Sequence, residues 1–117
     1  MSAELEVIRQ ALDDVRGLDD VIGATVVARA GPFIMGDAPH QDDPQAFASM
    51  AAVMLGAAER TSMDFGTPLG RVEIDLGGKG LIITGAGPRH VLVVWVSEDA
   101  ERDSTMRSVD RIVSRSF

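Results

Sequence analysis

The sequence predicts an α+β domain: a five-stranded antiparallel sheet between one long helix and two flanking helices, in the order α-β-β-α-β-β-β-α. Three observations predict it. Residues 46–58 form a run broken by one hydroxyl, Ser49; this is well short of the ~20 apolar residues of a bilayer span, so it reads as a helix buried by protein. Five short segments rich in Val, Ile and Leu lie between Gly, Pro and Asp turns, as strands do. At either end of the chain an amphipathic stripe recurs at helical spacing. One helix on one sheet face and two on the other gives every apolar stripe a partner.

In the first helix Leu5, Ile8, Leu12 and Val15 form the stripe, with Ser2 as its cap, Glu4 and Glu6 in the first turn and Gly17 as its stop. After the Leu18-Asp19-Asp20 turn, Val21 to Arg29 alternates as a strand. Ala30-Gly31 reverses the chain into a partner strand, Pro32 to Gly36, whose proline suits a sheet edge because it has no N–H to donate. A polar loop, Asp37 to Asp43, leads to Asp43-Pro44, a strong helix start. The long helix then runs to about Met63, before Gly66 and Pro68.

Arg71, Glu73 and Asp75 alternate with Val72, Ile74 and Leu76, a strand with one covered face and the charge typical of an edge. The turns at Gly77-Gly78 and Gly87-Pro88 connect it to Leu81–Ala86 and His90–Val96 as a meander. His90–Val96 is nearly all apolar, which places it centrally with both faces covered. Ser97 or Asp99 is expected to cap a closing helix with Met106, Val109, Ile112 and Val113 inward, and Arg111 and Arg115 near its C-terminus complement the helix dipole.

On a helical wheel the long helix divides into a bulky face, Phe47, Met50, Ala51, Met54 and Ala58, and a smaller one, Ser49, Ala52, Gly56, Glu59 and Met63. The bulky face is expected to lie on the sheet. Glycine within a helix costs about 1 kcal/mol relative to alanine, so Gly56 is expected to serve close approach of another backbone, and the small face to wait for a partner.

A chain of 117 residues fits one domain, 1–117, large enough to bury a core without metal or disulfide. It has no cysteine, which removes thiolate metal sites and cysteine nucleophiles and accords with a reducing cytoplasm. The acidic N-terminus lacks the basic-then-apolar pattern of a secretory leader, so a cytoplasmic location is expected. A net charge of −7, four Phe, one Trp and no Tyr argue against nucleic-acid binding, which needs cations for phosphates and aromatic faces for bases.

Candidate chemistry is sparse. Asp37, His40, Asp42 and Asp43 have metal-like composition without ligand spacing, and a solvated loop ending in an N-cap explains them. Gly77-Gly78-Lys79-Gly80 joins two strands, whereas a phosphate loop must open a helix. His90 has no nucleophile or carboxylate near it in sequence. No catalytic residue, cofactor or metal ligand is therefore assigned, and the chain is expected not to be an enzyme.

The strand at Gly23 to Val27, the Ala30-Gly31 reversal, the Ala/Met/Leu/Gly-rich helix and the Gly77-Gly78 turn before Leu81-Ile82-Ile83 together resemble the roadblock/dynein light chain family, whose fold is profilin-like, over essentially the whole chain. The resemblance implies a homodimer joined through the third strand and second helix into one continuous sheet, and a non-catalytic adaptor or regulator that binds a Ras-like small GTPase without inserting in a membrane. The partner surface is then Ser49, Ala52, Gly56, Glu59 and Met63 on the helix with Arg71, Glu73 and Asp75 on the strand. Pairing two copies antiparallel about Glu73 sets Arg71 of one against Asp75 of the other. The alternative is a small-molecule or metal sensor using the Asp37–Asp43 loop or a pocket beside the sheet.

Overall fold

The computed structural model describes residues 3–39 and 42–117. The elements are α1 (Ala3–Arg16), β1 (Val21–Ala28), β2 (Phe33–Gly36), α2 (Pro44–Asp64), β3 (Val72–Leu76), β4 (Lys79–Ala86), β5 (His90–Val96) and α3 (Arg102–Ser116). The five strands form one antiparallel sheet in the order β2-β1-β5-β4-β3. The proline-led β2 and the charged β3 are its edges, and the most apolar strand, β5, is its middle.

Two cores explain why β5 has so few polar residues. Leu92, Val94 and Val96 point with Ala24, Val26 and Ile82 to the face covered by α1 and α3. Val91 and Val93, with Val27, Leu81 and Ile83, point to the face covered by α2. Alternate residues of a central strand are thus both buried. At β3 only Val72 and Ile74 join a core, the one under α2.

Local signals place the helices. Asp43 caps α2, its carboxylate accepting the Ala46 N–H at 3.0 Å with Pro44 next to it, and α2 ends at Asp64. The Ser2 cap expected for α1 and the His40 expected in the acidic loop lie outside the described residues. The cap of α3 differs from expectation: Ser97 closes a turn by accepting the Ala100 N–H at 3.1 Å, so the helix starts later, and Glu101 accepts from the Ser104 N–H at 3.0 Å. No described helix is long and apolar enough to cross a membrane.

The long helix is rotated from the orientation its bulk suggests. Ala48, Ala51 and Leu55 are buried on the sheet, with Phe47, Ala52 and Met54 packed beside them. Met50, expected on the sheet, faces solvent, and Ala52, expected on the partner face, packs against the core. The cause is the sheet beneath: Val27, Ile83, Val91 and Val93 fill the space with their own branched side chains, so the helix turns its alanines inward and comes close.

Candidate partner interface

Three contacts fix how α2 sits across the sheet. Gln45 bonds the backbone at Gly31 and Phe33 beside β2; Arg29 at the end of β1 donates to Glu59; and Phe47 stacks on Trp95 of β5, ring centroids 5.3 Å apart. On the wheel Gln45 and Glu59 lie on one flank of the helix and Phe47 on the other. The flank carrying Gln45 and Glu59 therefore faces β2 and β1. The flank beyond Phe47, with Met50, Met54 and Ala57, faces the β4–β3 side.

The outward side of α2 carries unusual apolar exposure for one helix. Met50 is 62% exposed, Val53 70% and Met63 67%, followed by Phe65 at 79% just past the helix and Leu76 at 50% at the end of β3. Ser49, Met50, Val53 and Met54 line a shallow apolar depression there. An exposed apolar patch such as the one formed by Met50, Val53 and Met54 marks an interaction site far more often than scattered single residues do.

The β3 edge adjoins that surface. Gly77 and Gly78 both have positive φ, 69° and 100°, and connect the paired residues Leu76 and Lys79, a two-residue turn of the hairpin-favouring type. In such a hairpin Leu76 and Lys79 exchange both backbone bonds, and alternate residues then face the partner strand. Val72, Ile74 and Leu76 thus spend their backbone groups on β4, while the N–H and C=O of Glu73 and Asp75 point away from the sheet. The register from Val72 to Leu76 has no break.

The residues assigned from sequence fall in several environments. Ser49, Gly56 and Met63 lie on the exposed arc, and a Cβ built on Gly56 meets nothing within 4 Å, so no packing within the subunit requires a glycine there. Ala52 is partly buried on the flank of the helix, packed against the core. Glu59 is bonded to Arg29. Arg71 reaches Asp103 of α3 at 3.2 Å and Glu73 at 3.7 Å, and Asp75 accepts the Gly78 N–H at 2.9 Å. Those three acidic and basic side chains are therefore on the α3 face of β3. Sequence reasoning missed Met50, Val53 and Phe65 as exposed surface. A signal was present: Ala48, Ala51, Ala52 and Leu55 keep the i, i+3, i+4, i+7 spacing of a buried stripe.

The Roadblock/LC7 domain model matches residues 7–95, which spans α1 through β5. The chain belongs to the Roadblock/LC7 domain family. Solved roadblock-type structures share its fold. MglB of Myxococcus xanthus superposes with a TM-score of 0.83 at 18% identity, over 97% of this chain and 87% of that one. An MglB described as having a tetrameric arrangement gives 0.81 at 17% identity, over 98% and 88%. A Roadblock/LC7 domain from Streptomyces avermitilis gives 0.76 at 16%, over 88% of each chain. The same α+β arrangement relates the roadblock fold to profilin structures. No curated protein sequence matches the chain. Among the described residues no group of three or more His, Cys, Asp or Glu is placed to hold a metal ion.

Proposed function

We propose that this roadblock domain is a non-catalytic homodimeric adaptor that binds a Ras-like small GTPase. The observation that carries the proposal is the continuity of two unsatisfied surfaces: the apolar outer side of α2 and the open backbone edge of β3. Strand pairing at β3 satisfies the outward groups of Glu73 and Asp75, and the same rotation brings the β3-facing flanks of two α2 helices together. Met50, Val53, Met54 and Ala57 are then the helix residues nearest the second copy. Ser49, Gly56, Arg60 and Met63 stay on the outer side of the helix pair, available to a GTPase. Family membership supports the partner class, and the tetrameric arrangement of one MglB structure supports self-association.

In the proposed register Arg71 must exchange its Asp103 contact for Asp75 of the second copy, or share both. Sedimentation equilibrium of the purified chain is expected to give the mass of a dimer at micromolar concentration. Titration with Ras-like GTPases from the source cell, loaded with GDP or a GTP analogue, is expected to show binding that depends on the nucleotide. A monomer throughout that range, or identical weak binding in both states by every GTPase, overturns the proposal.

A further inference from the structure

The two edges of the sheet are treated differently. At β3 the ladder is regular, and none of the side-chain hydrogen bonds found among the described residues ends on a β3 backbone group. At β2 the edge is interrupted twice. The register steps from Met35 to Phe33 across Val26 and Val27, leaving Ile34 bulged. Two outward groups at its start are taken by one side chain: Gln45 Oε1 accepts the Phe33 N–H at 3.0 Å and Gln45 Nε2 donates to the Gly31 carbonyl at 2.8 Å.

A primary amide that accepts from one backbone N–H and donates to a carbonyl two residues away does what a residue of a neighbouring strand would do. Gln45 is held in that pose by a further bond from Nε2 to Ser49 Oγ at 3.0 Å. Reversing the amide would set N–H against N–H, so its orientation is determined. Unpaired edges recruit strands from other chains, and proteins suppress this with prolines, bulges and covering groups.

We propose that Gln45 determines which edge of this sheet accepts a strand, by occupying the β2 edge and leaving β3 as the single site for an added strand from a second copy. The proposal concerns the edge not used in the dimer proposed above, rests on that dimer for the use of β3, and is read from the change in mass relative to wild type. Its test is Gln45→Ala, with Gln45→Met as a second variant that keeps the length of the side chain and lacks the amide. Gln45 is exposed in the first turn of α2, and both variants are expected to melt cooperatively.

Light scattering from 1 to several hundred micromolar, read with hydrogen exchange at the Phe33 amide, separates the outcomes. Both variants are expected to exceed the wild-type mass at least twofold at high concentration. The Phe33 amide is expected to exchange at least tenfold faster than wild type when dilute and to regain protection in the assembled species. Wild-type mass at every concentration together with a fast Phe33 amide overturns the proposal, because the edge is then open and takes no strand. Added mass with the Phe33 amide still fast overturns it too, because the new contact then lies elsewhere.

Discussion

Arg29 Nη1 donates to both carboxylate oxygens of Glu59, each at 2.9 Å, and the same guanidinium lies over Gly85 of β4. A Cβ at Gly85 would stand 2.5 Å from Arg29 Nη2. The glycine on one strand thus makes room for the cation that holds the long helix to another. Both partners are about a third exposed or more, so solvent weakens the pair, and Glu59→Ala is expected to cost about 1 kcal/mol in urea denaturation. Gly85→Ala, which displaces the guanidinium, is expected to cost a similar amount alone and much less in a Glu59→Ala background. Additive costs in that double-mutant cycle would show that the glycine has a separate role.

Asp37 ties α1 to the β1–β2 pair. Its carboxylate accepts from Arg16 Nη2 at 2.7 Å, Arg16 Nε at 3.1 Å and the Ala24 N–H at 3.0 Å, and its carbonyl accepts from the Thr25 hydroxyl. Asp37→Ala is expected to cost about 2 kcal/mol, because a backbone N–H and a guanidinium both lose their acceptor. Asp37→Asn keeps one acceptor oxygen and should lie between the two in thermal melting. Equal stability of all three proteins would refute this account.

Gly36, immediately before Asp37, has φ +122°, and a Cβ there would stand 2.5 Å from the Ala24 carbonyl oxygen and 2.7 Å from the Thr25 Cα. Both obstacles are backbone and cannot swing aside. Gly36→Ala is expected to destabilise by about 3 kcal/mol or more, or to abolish soluble expression. A melting temperature within two or three degrees of wild type would contradict the geometry.

The rotation of α2 separates two neighbouring residues. Leu55 is 2% exposed, and Leu55→Ala is expected to cost about 3 kcal/mol by leaving a cavity. Val53→Ala is expected to cost less than about 0.5 kcal/mol in the isolated subunit. Chemical denaturation at low protein concentration checks the contrast, and reversed magnitudes would restore the orientation that the helix bulk suggested.

Met50→Asp places a charge on the β3-facing flank of α2 without entering the core. The melting of the subunit should remain cooperative while the association constant measured by sedimentation falls by a factor of about 100, the equivalent of roughly 3 kcal/mol of lost burial and added desolvation. An unchanged association constant would move the proposed helix contact to another flank.

The strand order was legible because burial on both faces of β5, and on one face of β3, writes itself into adjacent residues: His90–Val96 is almost uninterrupted, whereas Arg71–Leu76 alternates. The helix orientation was less so. On one helix alone, Phe47, Met50 and Met54 look like the residues to bury, and the choice goes to alanines only once Val27, Ile83, Val91 and Val93 already fill the space. Glu59 illustrates the same limit, since its partner Arg29 lies thirty positions away in another element. Nor does sequence spacing show that Gln45 reaches the β2 backbone, because that contact exists only once the first turn of α2 lies beside β2.

The unequal edges set a valence. A sheet able to pair at both margins keeps a free margin after each addition, and its assemblies grow without limit along the hydrogen-bonding direction. A sheet able to pair at one margin exhausts that capacity on first contact, and two copies related by a twofold axis end the series. By this count one glutamine amide and a bulge act as a chain terminator, so that a concentrated solution holds this sheet as a discrete particle and not as a thread.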